Sequence, residues 1–177
     1  KHVALDMDGT IYLGSTLFPY TKDFLDMLTR HGISYSFLTN NPTKSNKDYL
    51  AKLGRLGIEA TEEQMYTSSI ATIDYIRLNH PEAKRLFCLG TPSMQAEFEK
   101  AGFILCEDNA EDRPDILVVA FDMTLAYSRL CRAAWWASKP EIPYIATNPD
   151  WVCPTDEETI LVDCGSICKA IEGATCR

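Results

Sequence analysis

Long hydrophobic runs are missing from this 177-residue sequence. No stretch of ~18 apolar residues exists to span a bilayer, and the N-terminal residues lack the apolar core of a signal peptide. A strand that starts almost at residue 1 leaves no room for a targeting segment, so neither membrane nor secretory pathway is expected. Positive charge is also in deficit. Seventeen Lys and Arg face 25 Asp and Glu, a formal net charge of −8, which argues against nucleic acid as the main partner. Histidine is sparse, with His2, His31 and His80 scattered and none beside a cysteine in a catalytic context. No Gly/Ser linker, low-complexity tract or solenoid-period repeat is present. The seven cysteines (88, 106, 131, 153, 164, 168 and 176) are odd in number. That suits free thiols in a reducing, cytoplasmic compartment. Cys164-x3-Cys168 lacks a second ligand pair at standard spacing, which argues against zinc. At 46% hydrophobic, the chain can bury a real core, and its length suits one or two domains.

What is present is concentrated at the start. Val3-Ala4-Leu5-Asp6-Met7-Asp8-Gly9-Thr10 is a short apolar run ending in two carboxylates one residue apart. In a strand, residues i and i+2 share a face, so Asp6 and Asp8 are expected to address one spot beyond the strand's carboxyl end. Gly9 permits a sharp turn there. Two acids so close repel unless a cation or a shared proton intervenes. The pattern points to one acid that attacks, one that handles protons, and a hard dication between them. The competing reading, a plain Asp/Gly surface turn, is weakened by the next motif.

Ile33-Ser34-Tyr35-Ser36-Phe37-Leu38-Thr39-Asn40-Asn41 is a second β-rich run, ending in a hydroxyl and two amides and stopped by Pro42. Ser45 is positioned to cap the following helix. Small polar groups at a strand end, before a helix N-terminus, suit a phosphate. Elsewhere strands and helices alternate. Strands are expected at 3–8, 33–38, 65–67, 85–89, 116–121 and 143–147. Helices are expected near 21–31, 45–56, 68–79, 92–101, 124–138 and from about 166. The alternation predicts an α/β fold with largely parallel sheets. Trp135 and Trp136 point about 100° apart on a helix, so one is expected in the core and the other at least partly exposed.

Asp6-Met7-Asp8-Gly9-Thr10-Ile11-Tyr12, Leu38-Thr39-Asn40-Asn41, Ala146-Thr147-Asn148-Pro149-Asp150 and Cys164-Gly165-Ser166-Ile167-Cys168-Lys169-Ala170-Ile171 together resemble the haloacid dehalogenase-like (HAD) phosphatases. The closer resemblance is to the NagD-like or p-nitrophenylphosphatase-like branch, with its inserted α/β cap. The resemblance implies a Rossmann-like core, here its N-terminal part over residues 1–82, and a cap over 83–177. It implies that Asp6 is the nucleophile and Asp8 the general acid and base. It also implies that Thr39 and Asn40 bind phosphate, and that Asp6 and Asp8 hold Mg²⁺. Asn148 and Asp150 become candidate substrate contacts from the cap, weighed against a simple Asn-Pro-Asp turn. The expected substrate is a small phosphorylated metabolite, and a homodimer through the cap is a candidate assembly.

The sequence departs from the family pattern after the cap. A Gly-Lys-Pro lysine and a late acidic metal-binding segment are absent, and Lys169 falls in the helix assigned to the cap. The expectation is that these residues belong to a longer protein; if complete, the site would lack a metal ligand and a cation to neutralise phosphate. Three alternatives follow: a phosphotransferase or mutase of the same family, a receiver-type signalling domain, and a catalytically silent binding module. The receiver gives no role to Asp8 or the cap.

Overall fold

In a computed structural model, residues 1–177 are all described. The first unit runs through β1 (His2–Asp6), a hairpin of β2 (Tyr12–Leu13) and β3 (Thr16–Leu17), α1 (Thr21–Arg30), β4 (Ser34–Thr39), α2 (Asn46–Arg55) and β5 (Met65–Thr67). β1, β4 and β5 lie side by side in that order, all parallel, with Asp6 opposite Leu38 and Thr39 opposite Thr67. The carboxyl ends of β1 and β4 therefore sit together. Alternation decides which side chains go inward. Leu5, Phe37 and Met65 pack against Leu25 and Leu28 of α1 and Tyr49 and Leu53 of α2. On the opposite face, Ala4, Leu38 and Tyr66 are exposed.

The first strand ends at Asp6, two residues short of the expected limit. The Met7 carbonyl accepts from the amides of Thr10, Ile11 and Tyr12, which folds the chain back at once. Gly9 takes φ +85° in that turn, a conformation costly for other residues. Asp8 thus belongs to the turn rather than to the strand. At α2, the Ser45 side chain accepts from the Asp48 amide and the Asp48 carboxylate accepts from the Ser45 amide, a complete capping box.

The second unit contains α3 (Ser68–Asn79), β6 (Arg85–Leu89), α4 (Pro92–Lys100), β7 (Ile104–Leu105), β8 (Ile116–Val119), α5 (Tyr127–Ala137), β9 (Tyr144–Ala146), a hairpin of β10 (Val152–Cys153) and β11 (Leu161–Val162), and α6 (Cys164–Thr175). Its sheet is four-stranded and parallel, in the order β7-β6-β8-β9. Both faces are covered, which is why β6 and β8 read as nearly unbroken apolar runs. Phe87, Leu89, Leu117 and Val119 face Trp136 of α5 and Ile167 and Ile171 of α6. Leu86, Cys88, Ile116 and Val118 face Ile73 and Ile76 of α3 and Met94 and Phe98 of α4.

This packing changes the grouping expected for α3. The sequence pattern places it with the first three strand–helix pairs, yet its apolar face, Ile73 and Ile76, is buried in the second unit's core. Its cap is Thr67, whose hydroxyl accepts from the Ile70 amide at 3.3 Å. The last helix starts at Cys164, with Asp163 as its N-cap accepting from the Cys164 amide. Trp136 is buried, and Trp135 is 46% exposed beneath the Lys139 ammonium. No helix is long and apolar enough to cross a membrane, and all seven cysteines are unpaired.

Candidate active site

The site grows from the ends of β1 and β4. Asp6 is exposed at the end of β1, and its Oδ2 accepts from the Thr10 hydroxyl at 2.7 Å. Asp8 lies in the turn beyond it, where its side chain meets two groups from elsewhere. Tyr12, fully buried, reaches Asp8 Oδ2 through its hydroxyl at 3.4 Å. Lys52 of α2 stands 3.7 Å from Asp8 Oδ1 and 3.5 Å from the centroid of the Tyr12 ring. Burial pushes the Tyr12 phenol well above its ordinary range, and the Asp8 charge adds to that. Burial pulls the Lys52 ammonium down, and the Asp8 carboxylate opposes the pull.

Lys52 and Tyr12 are the site groups that sequence reading misses. A single Lys on a helix reads as solvated surface, and Tyr12 reads as part of an apolar stretch. Only the turn at residues 7–12 brings the Tyr12 ring beneath Lys52 of α2. Lys52 places an ammonium, its side chain largely covered, at the Asp8 carboxylate.

Thr39 closes β4 and is buried. Its hydroxyl oxygen accepts from the Asn41 amide at 3.2 Å. Asn41 is fixed in turn, since its Oδ1 accepts from the Thr43 amide and hydroxyl. Asn40 points instead at the second unit, where its Nδ2 donates to the Asp150 carboxylate. Asn148 is buried. It donates to the Asn40 carbonyl at 3.0 Å and accepts from the Asp150 amide at 2.9 Å. Asn148 and Asp150 thus lie against the strand-end loop of the first unit.

Further contacts tie the units together. At the start of α2, the Ser45 amide donates to Ser93 Oγ at 3.1 Å and the Asn46 amide to Glu97 Oε1 at 2.6 Å, both on α4. At the β2–β3 turn, Gly14 (φ +56°) lies so close to Asp156 that a Cβ there would fall 2.2 Å from the carboxylate. Between these contacts is a cavity of about 680 Å³, with Asp8, Asn41 and Lys52 on one side and Phe121, Met123 and Cys153 on the other.

Asp6 has no ammonium or guanidinium partner among the ion pairs. The turn's amides bond to the carbonyls of Met7 and Tyr12, leaving that of Asp8 unused. A carboxylate and a free carbonyl at one strand end fit a hard cation that keeps several waters. No group of three or more His, Cys, Asp or Glu residues forms a fuller cage.

Known proteins are similar to this chain over nearly its whole length. A family model described as haloacid dehalogenase-like hydrolase matches residues 3–104. An acid sugar phosphatase of Staphylococcus aureus is 31% identical over 175 residues, which cover 99% of this chain and 65% of that protein. The chain therefore spans about 65% of the length of the curated relatives it matches. Among solved structures, the 4-nitrophenylphosphatase of Thermotoga maritima is 37% identical, with a TM-score of 0.89 over 99% of this chain and 65% of that one. A glycerol phosphate phosphatase of Mycobacterium tuberculosis in complex with magnesium is 28% identical, with a TM-score of 0.88 over 99% of this chain and 52% of that one.

Proposed function

This chain belongs to the haloacid dehalogenase-like hydrolases, in their NagD-like and p-nitrophenylphosphatase-like branch, and on that membership we propose that it works as a magnesium-dependent phosphomonoesterase acting on a small phosphorylated metabolite. The observation that carries the proposal is the pair Asp6 and Asp8 at the end of β1, beside Thr39 at the end of β4, with Asp8 opening on a cavity shared with the second unit. The names of the relatives, an acid sugar phosphatase and a glycerol phosphate phosphatase, favour a sugar or polyol phosphate.

In this reading the Asp6 carboxylate attacks phosphorus and forms an aspartyl-phosphate as the bond to the leaving oxygen breaks. Asp8 gives its proton to that oxygen, so the alcohol departs neutral. Asp8, now a carboxylate, takes a proton from water, and the resulting hydroxide attacks phosphorus to release inorganic phosphate and restore Asp6. The Thr39 hydroxyl donates to a phosphoryl oxygen. Mg²⁺, held by the Asp6 carboxylate and the Asp8 carbonyl, would supply the charge neutralisation that phosphoryl transfer needs. Asn40 is paired with Asp150, so its contribution is to hold the cap as well as to line the phosphate site.

The second unit is the cap. We draw its boundary after Thr67, at the start of α3, because α3 is packed on the cap sheet. Its exposed Tyr127, Trp151, Ile160 and Val162 offer apolar area for a contact between copies. Seven free thiols accord with a cytoplasmic setting.

The test is hydrolysis of p-nitrophenyl phosphate by the full-length protein, with Mg²⁺ and with EDTA, beside Asp6→Asn. The expected result is metal-dependent turnover that Asp6→Asn abolishes. Turnover indifferent to Asp6→Asn, or none with metal present, would overturn the assignment.

A further inference from the structure

Lys52 occupies a place where a lysine is costly. Its side chain is only 13% exposed, on the same helix as the buried Tyr49 and Leu53. A buried ammonium needs compensation, and two groups provide it. One is the Asp8 carboxylate, 3.7 Å from Nζ at Oδ1; the other is the Tyr12 ring face, 3.5 Å from Nζ. The same Tyr12 reaches the second carboxylate oxygen of Asp8 through its hydroxyl, at 3.4 Å. Each oxygen of Asp8 therefore has its own tether, and the two tethers brace one another.

We infer that Lys52 and Tyr12 are positioning residues for Asp8, fixing its carboxyl group for proton transfer to the leaving oxygen. The inference deepens the phosphatase reading and rests on it. Nothing is added to the chemistry: the proton passes from Asp8 to the leaving oxygen as the P–O bond breaks, and Lys52 transfers none. What Lys52 supplies is orientation, which matters in proportion to how much the leaving group needs the proton. An alkyl phosphate cannot expel its alkoxide without one. p-Nitrophenyl phosphate releases a stable phenolate and scarcely needs it.

The experiment compares kcat/KM for glycerol phosphate and p-nitrophenyl phosphate, with Mg²⁺, in the full-length wild type, Lys52→Met, Lys52→Arg and Tyr12→Phe. For Lys52→Met, kcat/KM on glycerol phosphate is expected to fall about tenfold or more. On p-nitrophenyl phosphate it is expected to fall about threefold or less, with KM for both little changed. Lys52→Arg should recover most of the loss, since guanidinium keeps the charge and the ring contact. Tyr12→Phe retains the ring and removes one tether, so it should give the same leaving-group signature in weaker form. It carries the comparison if Lys52→Met does not fold. An equal fall on both esters with a raised KM would make Lys52 a phosphate-binding group and overturn the inference, as would no fall on either. Wild-type protein inactive on both esters would overturn the phosphatase reading, and the inference with it. Wild-type turnover untouched by the substitutions overturns the inference alone.

Discussion

Asp150, in the loop after β9, accepts a hydrogen bond from Nδ2 of Asn40 at the end of β4. The two residues are 110 apart in sequence, and they join the strand-end loop of one unit to the sheet of the other. Asn148 strengthens the joint by donating to the Asn40 carbonyl at 3.0 Å. The end of β4 and the loop after β9 are thus joined through Asn40.

Asp150→Ala should release Asn40 and loosen the cap on this side. One exposed hydrogen bond to a charged group is lost, so thermal stability should fall by about 1 kcal/mol or less. Activity should fall further, because displacements of an ångström in a phosphoryl-transfer site are costly. We expect a loss of about tenfold in kcat/KM, read from steady-state kinetics beside a thermal melt. A large loss of stability with kcat/KM intact would show that the joint serves folding alone.

Gly165 gives a sharper case, because two alanine substitutions on one helix should have opposite signs. A Cβ at Gly165 would lie 2.3 Å from the Pro149 carbonyl oxygen and 2.8 Å from that of Asp150. The Gly165 amide donates to the same Asp150 carbonyl at 2.7 Å. Gly165→Ala must push the 148–150 loop off the helix, at a cost of about 1–3 kcal/mol. Gly173, in the same helix and exposed, has nothing within 4 Å of its Cβ position. Gly173→Ala should therefore stabilise by about 0.5–1 kcal/mol through helix propensity and reduced unfolded-state freedom. Differential scanning calorimetry should separate the two melting temperatures by several degrees; melting together would refute the clash.

The same contrast explains what could be read in advance. Asp6 and Asp8 are legible because only Met7 separates them, at the end of a short apolar run that reads as a strand. The cap sheet is legible for a similar reason, since Leu86–Leu89 and Ile116–Val119 are apolar at every position, as a strand covered on both faces must be. Lys52 is not legible. Nothing local distinguishes it from the exposed Lys47 on the same helix, and its partner Asp8 is 44 positions away. The two hairpins, with strands of two residues each, are too short to leave a periodic signal. α3 fails differently: its span is legible, but periodicity cannot say against which sheet Ile73 and Ile76 pack.

The joint between α2 and α4 should give stability an opposed pH dependence on its two carboxyls. Hydrogen bonds from Ser93 and then Ser45 hold Asp48 below its ordinary value of 3.8. A lowered carboxyl contributes stability above that value and loses it as pH falls through the native one. Glu97 is the reverse: burial raises it above 4.5, although the Asn46 amide opposes the shift. Its contribution is present below 4.5 and lost as pH rises through the native value. Glu97 Oε2 and Asn46 Oδ1 are both buried without partners, and Glu97→Gln offers a donor there. At pH 7.5 the substitution should stabilise by about 1 kcal/mol, or about 2–4 °C in Tm. Near pH 4 the difference should vanish, since Glu97 is then neutral as well. A Tm gap that persists unchanged at pH 4 would assign the effect to packing.

Magnesium should stabilise the folded protein through Asp6, and a melt can detect this without any substrate. A ligand that binds only the native state adds about 2.7 kcal/mol at a hundredfold excess over its dissociation constant. For a chain of this size each kcal/mol is worth about 2–4 °C. Asp6 carries no compensating cation, while Asp8 is already paired with Lys52, so the uncompensated charge that a cation would relieve is on Asp6. Millimolar Mg²⁺ is therefore expected to raise the Tm of the wild type by several degrees and to leave Asp6→Asn nearly unmoved. Without metal, Asp6→Asn should melt at or above the wild-type temperature, because one of two neighbouring negative charges is gone. A wild-type Tm that ignores Mg²⁺, or an Asp6→Asn variant that responds equally, would locate the cation elsewhere and remove Asp6 from its coordination.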